Sequence, residues 1–177
     1  MVHKDHVRLI LKAIKPGKQV WADLGSGEGA FTLALRDVVG QEVEIFSIDK
    51  NAGSLRKQKE AFDQQFPGTN IHYISSDFTK HLDLPPLDGI LAANSLHFVE
   101  DRVGILKQLK QYLKSKGKLL IVEYNVDHGN LWVPHPFSFE TFKTICHESG
   151  FKPPELLATE PSRFLKAIYS AVSIKEN

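Results

Sequence analysis

The segment Val20-Trp21-Ala22-Asp23-Leu24-Gly25-Ser26-Gly27-Glu28-Gly29 has the spacing of a ligand-binding turn. Three glycines at alternate positions let the backbone bend tightly and approach a ligand closely. A helix that starts just after them offers unpaired backbone N–H groups. Dinucleotide-binding loops use this arrangement to hold a pyrophosphate, with the spacing G-x-G-x-x-G. Here the glycines run G-x-G-x-G, Ala30 stands where the third dinucleotide glycine would be, and Asp23 precedes Gly25 by two. A carboxylate at that point repels a pyrophosphate and suits an amino group. Other chemistry-bearing residues recur where apolar runs end: Asp49-Lys50, Asp77-Phe78, Asn94-Ser95-Leu96-His97 and Glu123-Tyr124. The stretch after Tyr124 carries Trp132, His135 between two prolines, and Phe137. It is longer than a typical connection and supplies aromatic area beside the His135 ring.

These residues need a scaffold that brings strand ends together. Apolar runs at Gln19–Leu24, at Val43 to Asp49, from Ile71 to near Asp77, at Leu87–Ala93 and at Lys118–Tyr124 read as strands. Between them, helical spacing covers Phe31 to Val38, closed by Gly40, then Ala52–Phe66, stopped by Pro67-Gly68, and Val99–Lys114. A short amphipathic helix, His3–Ile14, precedes the first strand, with Pro16-Gly17 as its stop. Ser138–Ser149 forms the last helix, with Ser138 as start signal and Gly150 as stop. Leu156–Thr159 and Ala167–Ser173 close the chain as a hairpin, because no helix separates them. Strands alternating with helices predict one α/β domain over residues 1–177 with a mostly parallel sheet buried on both faces. Within it, residues 1–16 hold the first helix, residues 19–124 the ligand-binding half, and residues 125–177 the loop, last helix and hairpin.

The composition removes several function classes. Lys+Arg is 22 against 21 Asp+Glu, a net charge of +1, which disfavours a broad duplex-binding surface. Hydrophobic residues at 42% and charged residues at 24% sit near the globular norm, so the chain has material for one core. The single cysteine, Cys146, excludes an internal disulfide and a Cys-rich metal site, and its place in the last helix predicts burial. No apolar run nears the ~18 residues that span a membrane, and the opening residues lack a signal-peptide pattern, so the expectation is a cytoplasmic protein. His3, His6, His72, His81, His128 and His147 show no metal-ligand spacing, and no metal is expected.

Taken together, Asp23, Gly25, Gly27 and Gly29 as D-x-G-x-G-x-G, with Asp49 twenty residues after Gly29, resemble the class I S-adenosylmethionine-dependent methyltransferases. The resemblance runs from Gln19 to Ser173. It implies a Rossmann-like, doubly wound sheet of seven strands, six parallel and one antiparallel from the C-terminal hairpin. It also implies S-adenosylmethionine as cofactor, with contacts from Asp23, Gly25, Ser26, Gly27, Gly29, Asp49, Lys50, Asp77, Phe78, Asn94 and Ser95. In that reading Asp49 takes the ribose hydroxyls. Asp77 reaches the adenine amine, although it also suits capping a short helix at Phe78–His81. Phe78 lies against adenine, or else in ordinary core. The segment from Asn94 to Phe98 borders the methionine part.

Methyl transfer is an in-line displacement in which alignment does most of the work. A base is needed only where the acceptor must lose a proton, and His97 and His135 are the candidates. Tyr124, Trp132 and Phe137 are candidate walls for the acceptor. Glu123 either faces the substrate side or pairs with a surface lysine. The segment after the fourth strand is Asn94-Ser95-Leu96-His97, not the Pro-Pro motif of adenine- and glutamine-directed enzymes, and no Pro-Cys dipeptide marks a cytosine-carbon enzyme. A small-molecule acceptor is expected. The alternatives are an RNA or protein methyltransferase that borrows recognition surface from a partner or a second copy, a non-catalytic S-adenosylmethionine-binding protein, and a dinucleotide oxidoreductase.

Overall fold

A computed structural model describes residues 1–176. Seven strands form one sheet: β1 Val20–Leu24, β2 Glu44–Asp49, β3 Asn70–Ser75, β4 Leu87–Ala93, β5 Leu113–Tyr124, β6 Glu155–Pro161 and β7 Ala167–Ile174. Their spatial order is β3-β2-β1-β4-β5-β7-β6. The pairs β1–β2, β1–β4, β2–β3 and β4–β5 are parallel, and β7 runs antiparallel to both β5 and β6. This is the sheet of six parallel strands and one antiparallel strand that the sequence implies. Five helices join them: α1 His3–Ile10, α2 Ala30–Val39, α3 Ala52–Gln65, α4 Arg102–Tyr112 and α5 Phe139–Ser149.

The central strands are apolar at successive positions because both faces are covered. Along β5, Leu119 and Ile121 point into one cluster with Leu106 and Leu109 of α4 and Phe142 and Cys146 of α5. Leu120 and Val122 point into the other, with Leu9 and Ile10 of α1 and Phe31 and Leu35 of α2. Burial pushes the Cys146 thiol up to about 12, so it packs as an inert apolar group.

Helix ends follow local capping chemistry. The Asn51 side chain accepts from Gly53 and Ser54 N–H at 2.9 and 3.2 Å, Asp101 from Gly104 N–H at 2.8 Å, and Ser138 from Thr141 N–H at 3.2 Å. The Asp101 cap starts α4 three residues later than apolar spacing predicts. Its far end also differs. Leu113 already pairs with Leu87, so β5 begins at Leu113 instead of Lys118, with a register shift before Lys118. Similarly, α1 stops at Ile10 and tightens into a 3₁₀ turn at Leu11–Ala13. The hairpin strands reach Glu155 and Pro161 through backbone pairing alone, which side-chain patterning does not reveal.

One close approach sets the middle of the sheet. Trp21 is fully buried and lies across Gly89 of β4, where an added Cβ would sit inside the indole ring's van der Waals envelope. Gly89→Ala therefore overpacks a rigid site, and overpacking costs ~1–3 kcal/mol. Urea unfolding should show the variant destabilised by about 2 kcal/mol or more with an unchanged dependence on denaturant.

Candidate active site

In this sheet the order reverses between β1 and its two neighbours, β2 and β4. Ligands of open α/β sheets bind at the carboxyl ends of the strands beside such a reversal. A cavity of ≈ 480 Å³ lies there, lined by Gly25, Asp49, Lys50, Ser76, Asp77, Phe78, Thr79, Asn94, Ser95, Phe98 and Val99.

The glycine loop forms its floor. Gly25 and Ser26 N–H both donate to Ile48 O of β2, at 2.8 and 3.1 Å, folding the turn back onto the next strand. Gly25 has φ 69°, and a Cβ on it would stand 2.6 Å from the Ser95 Cβ, so only glycine lets the two segments meet. Gly27 N–H donates to Asp49 Oδ2 at 2.8 Å, and Asn51 N–H to Asp49 Oδ1 at 2.7 Å. Two backbone donors thus aim the Asp49 carboxylate at the rim of the cavity. Asp77 accepts from the Thr79 hydroxyl and N–H at 2.7 and 2.9 Å. The Thr79 hydroxyl, then its N–H, holds the Asp77 carboxyl below its ordinary value. The turn it makes replaces the short helix considered for Phe78–His81.

The polar wall comes from the turn after β4. Asn94 adopts φ 52°, its N–H bonded to Val122 O at 2.8 Å. Its Oδ1 and the Ser95 Oγ are buried without a hydrogen-bond partner, and both residues line the cavity. Buried polar atoms are almost always satisfied, and these are the two unpartnered ones, of four among the described residues, whose residues line the cavity. The turn is clamped from β5. Glu123 is fully buried; its Oε1 accepts Leu96 and His97 N–H at 3.0 and 3.3 Å, and its Oε2 lies 2.8 Å from His97 Nδ1. Three donors converge on one carboxylate, so the ring nitrogen facing it, Nδ1, is an N–H. Glu123 therefore pairs with no surface lysine.

Of the residues singled out from sequence, Gly25, Asp49, Lys50, Asp77, Phe78, Asn94 and Ser95 meet at the cavity. Asp23, Ser26, Gly27 and Gly29 lie under or beside it and do not line it. Asp23 is 1% exposed and accepts from Thr32 Oγ1 at 2.6 Å. Gln58 donates to the same hydroxyl at 2.5 Å, Ser47 donates to Gln58 Oε1 at 2.8 Å, and Ser47 Oγ lies 2.7 Å from Ser26 Oγ. The result is a buried polar chain that ties the loop to α2, α3 and β2. Phe98, the end of the Asn94–Phe98 segment expected beside the methionine part, also lines the cavity, and His97 of that segment does not; sequence reasoning missed Ser76, Thr79 and Val99, which carry no motif and enter by position alone.

The loop after Tyr124 departs further from expectation. Phe137 is 1% exposed, packed against Phe142 with ring centroids 5.9 Å apart, so it is core and presents no wall. Trp132 is 72% exposed in a turn closed by Asn130, outside the cavity lining. His135 is half-buried and joins the site through its backbone, its N–H donating to His97 O at 2.9 Å. Tyr124 stands 6.0 Å from the His97 ring.

Burial raises the Asp23 carboxyl to about 7, with the Asp49 charge adding to the rise and the Thr32 hydrogen bond opposing it. A folded-state value above the unfolded one gives stability that is full below pH ~4 and is lost as pH rises toward ~7. Relative to Asp23→Asn, the parent chain should lose stability across that window by up to about 1.4 kcal/mol per pH unit and level off above it. Urea titrations at half-unit pH steps measure this; a flat difference would mean that Asp23 is ionised throughout.

A family model described as a methyltransferase domain matches residues 15–160. Among curated proteins, the ubiquinone/menaquinone biosynthesis C-methyltransferase UbiE of Teredinibacter turnerae is 29% identical over 124 residues, 68% of this chain and 49% of its own. The UbiE of Vibrio cholerae is 26% identical over 63% of this chain and 43% of its own. The chain thus spans about half the length of the curated relatives it matches. Of solved structures, the Bacillus subtilis YcgJ protein superposes with TM-score 0.78 at 12% identity, covering 99% of this chain and 100% of that one. A Haemonchus contortus N-methyltransferase, in complex with S-adenosylhomocysteine, superposes with TM-score 0.77 at 14% identity over 98% of this chain and 53% of its own. With the family model covering most of its length and the glycine loop and switch-point cavity in place, the chain belongs to the methyltransferase domain family.

Proposed function

We propose that the protein transfers a methyl group from S-adenosylmethionine to a small-molecule acceptor. The observation that carries this reading is the pair of unpartnered buried atoms, Asn94 Oδ1 and Ser95 Oγ, set in one cavity with the Asp49 carboxylate. A ligand with an amino-acid end and a ribose fits that donor and acceptor set. Asp49 takes ribose hydroxyls, Asp77 and Phe78 receive the adenine, and Lys50 flanks them. Asn94 Oδ1 accepts from an ammonium, and Ser95 bonds the same end of the ligand. Asp23 acts from below: its carboxylate adds negative charge under the glycine loop, and a bound cation returns its raised carboxyl toward the ionised form. When bound, S-adenosylmethionine supplies an electrophilic methyl on a sulfonium.

The chain's own contribution to the chemistry is alignment and proton removal. His97 Nε2 takes the acceptor's hydroxyl proton as the oxygen–methyl bond forms and the methyl–sulfur bond breaks, its electron pair staying on sulfur, and Glu123 holds the ring through Nδ1. His135 is the weaker candidate, because among the described residues no hydrogen bond orients its ring. No helix among the described residues is long and apolar enough to cross a membrane. A cytoplasmic setting suits a chain whose single thiol is buried and unpaired.

Calorimetric titration tests the cofactor assignment. S-adenosylhomocysteine should bind far more tightly than NAD, and equal or stronger NAD binding would falsify it. Asp49→Asn keeps one acceptor oxygen but loses the charge, and charge-assisted hydrogen bonds contribute ~1.5–3 kcal/mol, so affinity should fall about tenfold or more. Once an acceptor is in hand, His97→Gln should lower turnover at least ~10²-fold. Parental turnover in that variant would place the base elsewhere.

A further inference from the structure

Two loops and a strand end that are distant in sequence place aromatic rings side by side at the carboxyl edge of the sheet. Phe98, after β4, lines the cavity and is nevertheless 62% exposed. Its ring centroid lies 4.3 Å from that of His97, His97 lies 6.0 Å from Tyr124, and Tyr124 lies 5.8 Å from Phe164. Phe164 sits at the tip of the β6–β7 hairpin and is 51% exposed. That tip is held in place: Ser162 N–H donates to Lys166 O at 2.9 Å, and Ser162 Oγ accepts from Phe164 N–H at 3.1 Å. Among the described residues the hairpin connects the strand pair beyond β5, and its tip folds back toward Tyr124.

We infer that this arc is the acceptor subsite, that it selects a planar aromatic acceptor bearing an ionisable hydroxyl, and that Phe164 is its specificity-determining residue. The inference rests on the methyl-transfer reading above and deepens it. The arc is continuous with the cavity through Phe98, so a ligand lying on it reaches the methyl-bearing end of the cofactor site. Exposed apolar rings on a ligand-binding edge gain from being covered, and aromatic rings prefer offset or edge-to-face contact with another ring. His97, 3% exposed and outside the cavity lining, is the buried link of the arc between Phe98 and Tyr124. A second copy of the chain or a lipid surface would also cover exposed rings. Neither accounts for the arc's running from the hairpin tip into the cofactor cavity.

The test uses 2-naphthol as a probe, with S-adenosylhomocysteine present. S-adenosylhomocysteine is first titrated alone. If it does not bind, the methyl-transfer reading fails and the acceptor inference falls with it. If it binds, 2-naphthol should then bind the loaded protein, and the non-planar cyclohexylmethanol should bind at least about tenfold more weakly. Phe164→Ala should lower 2-naphthol affinity about tenfold while leaving S-adenosylhomocysteine affinity within about twofold, and Phe164→Tyr should keep the parental values. Phe164 is half exposed on a hairpin tip, so thermal unfolding of the variants should match the parent and exclude a folding defect. Three results overturn the inference while leaving the cofactor reading intact. They are no naphthol binding to the loaded protein, equal affinity for the two probes, and unchanged naphthol affinity in Phe164→Ala. Sedimentation velocity adds a fourth: a parental dimer that Phe164→Ala dissociates would make the arc a subunit contact.

Discussion

A single buried carboxylate organises the catalytic edge. Glu123 leaves the core at the end of β5, directly beside the end of β4, because Val122 pairs with Ala93 in the parallel ladder. Its two oxygens take up two backbone N–H groups and the His97 ring. A buried charge without partners is costly, and one fully supplied with donors fixes those donors in space. The turn that bears Asn94, Ser95, His97 and Phe98 is therefore anchored at Leu96 and His97. The constraint spreads further, since His97 O holds His135 N–H and Arg102 donates to the Pro136 carbonyl at 3.1 Å. The loop after β5 is tied down by the same clamp that shapes the cavity wall.

Beneath the cavity, the design is reversed. The chain Asp23–Thr32–Gln58–Ser47–Ser26 satisfies each side chain with the next, yet Asp23 remains a carboxyl group in a dry place. Burial opposes its charge, and a nearby cation favours it. The fold keeps under the glycine loop a group whose charged form burial disfavours. Burial likewise disfavours the unpartnered Asn94 Oδ1 and Ser95 Oγ. Local stability is given up at three points around one cavity, while the sheet on either side is packed with fully buried aliphatic and aromatic residues.

The two halves of the edge differ in chemistry because different strands feed them. Loops after β1, β2 and β3 bring glycine, carboxylate and hydroxyl groups. The turn after β4, the end of β5 and the β6–β7 hairpin bring rings. The antiparallel β7 makes this possible. It lies between β5 and β6, so β6 runs parallel to β5 and the hairpin tip emerges on the ligand side.

Much of this was legible in the residues. Period and punctuation located the seven strands and five α-helices of the described residues but not the 3₁₀ turns at Leu11–Ala13 and Leu96–Phe98, since apolar runs and Gly, Pro and Ser stops act locally. The glycine loop, Asp49, Asp77 and Asn94-Ser95 were legible because each follows a strand end, and in a parallel sheet those ends share one edge. Glu123 was ambiguous, because nothing local distinguishes a carboxylate bound for a surface lysine from one that clamps a turn 26 residues earlier. Phe137 and Trp132 looked alike as loop aromatics; packing against α5 and β7 buried the first and left the second in solvent. Phe164 carried no signal at all, since its meeting with Tyr124 depends on the hairpin folding back over β5. The sequence by itself determined the class of fold and the cofactor edge, through periodicity and local turn chemistry. The tertiary structure alone decided which carboxylates are buried, which rings are core and which face a ligand, because those outcomes depend on contacts between segments that only the folded sheet brings together.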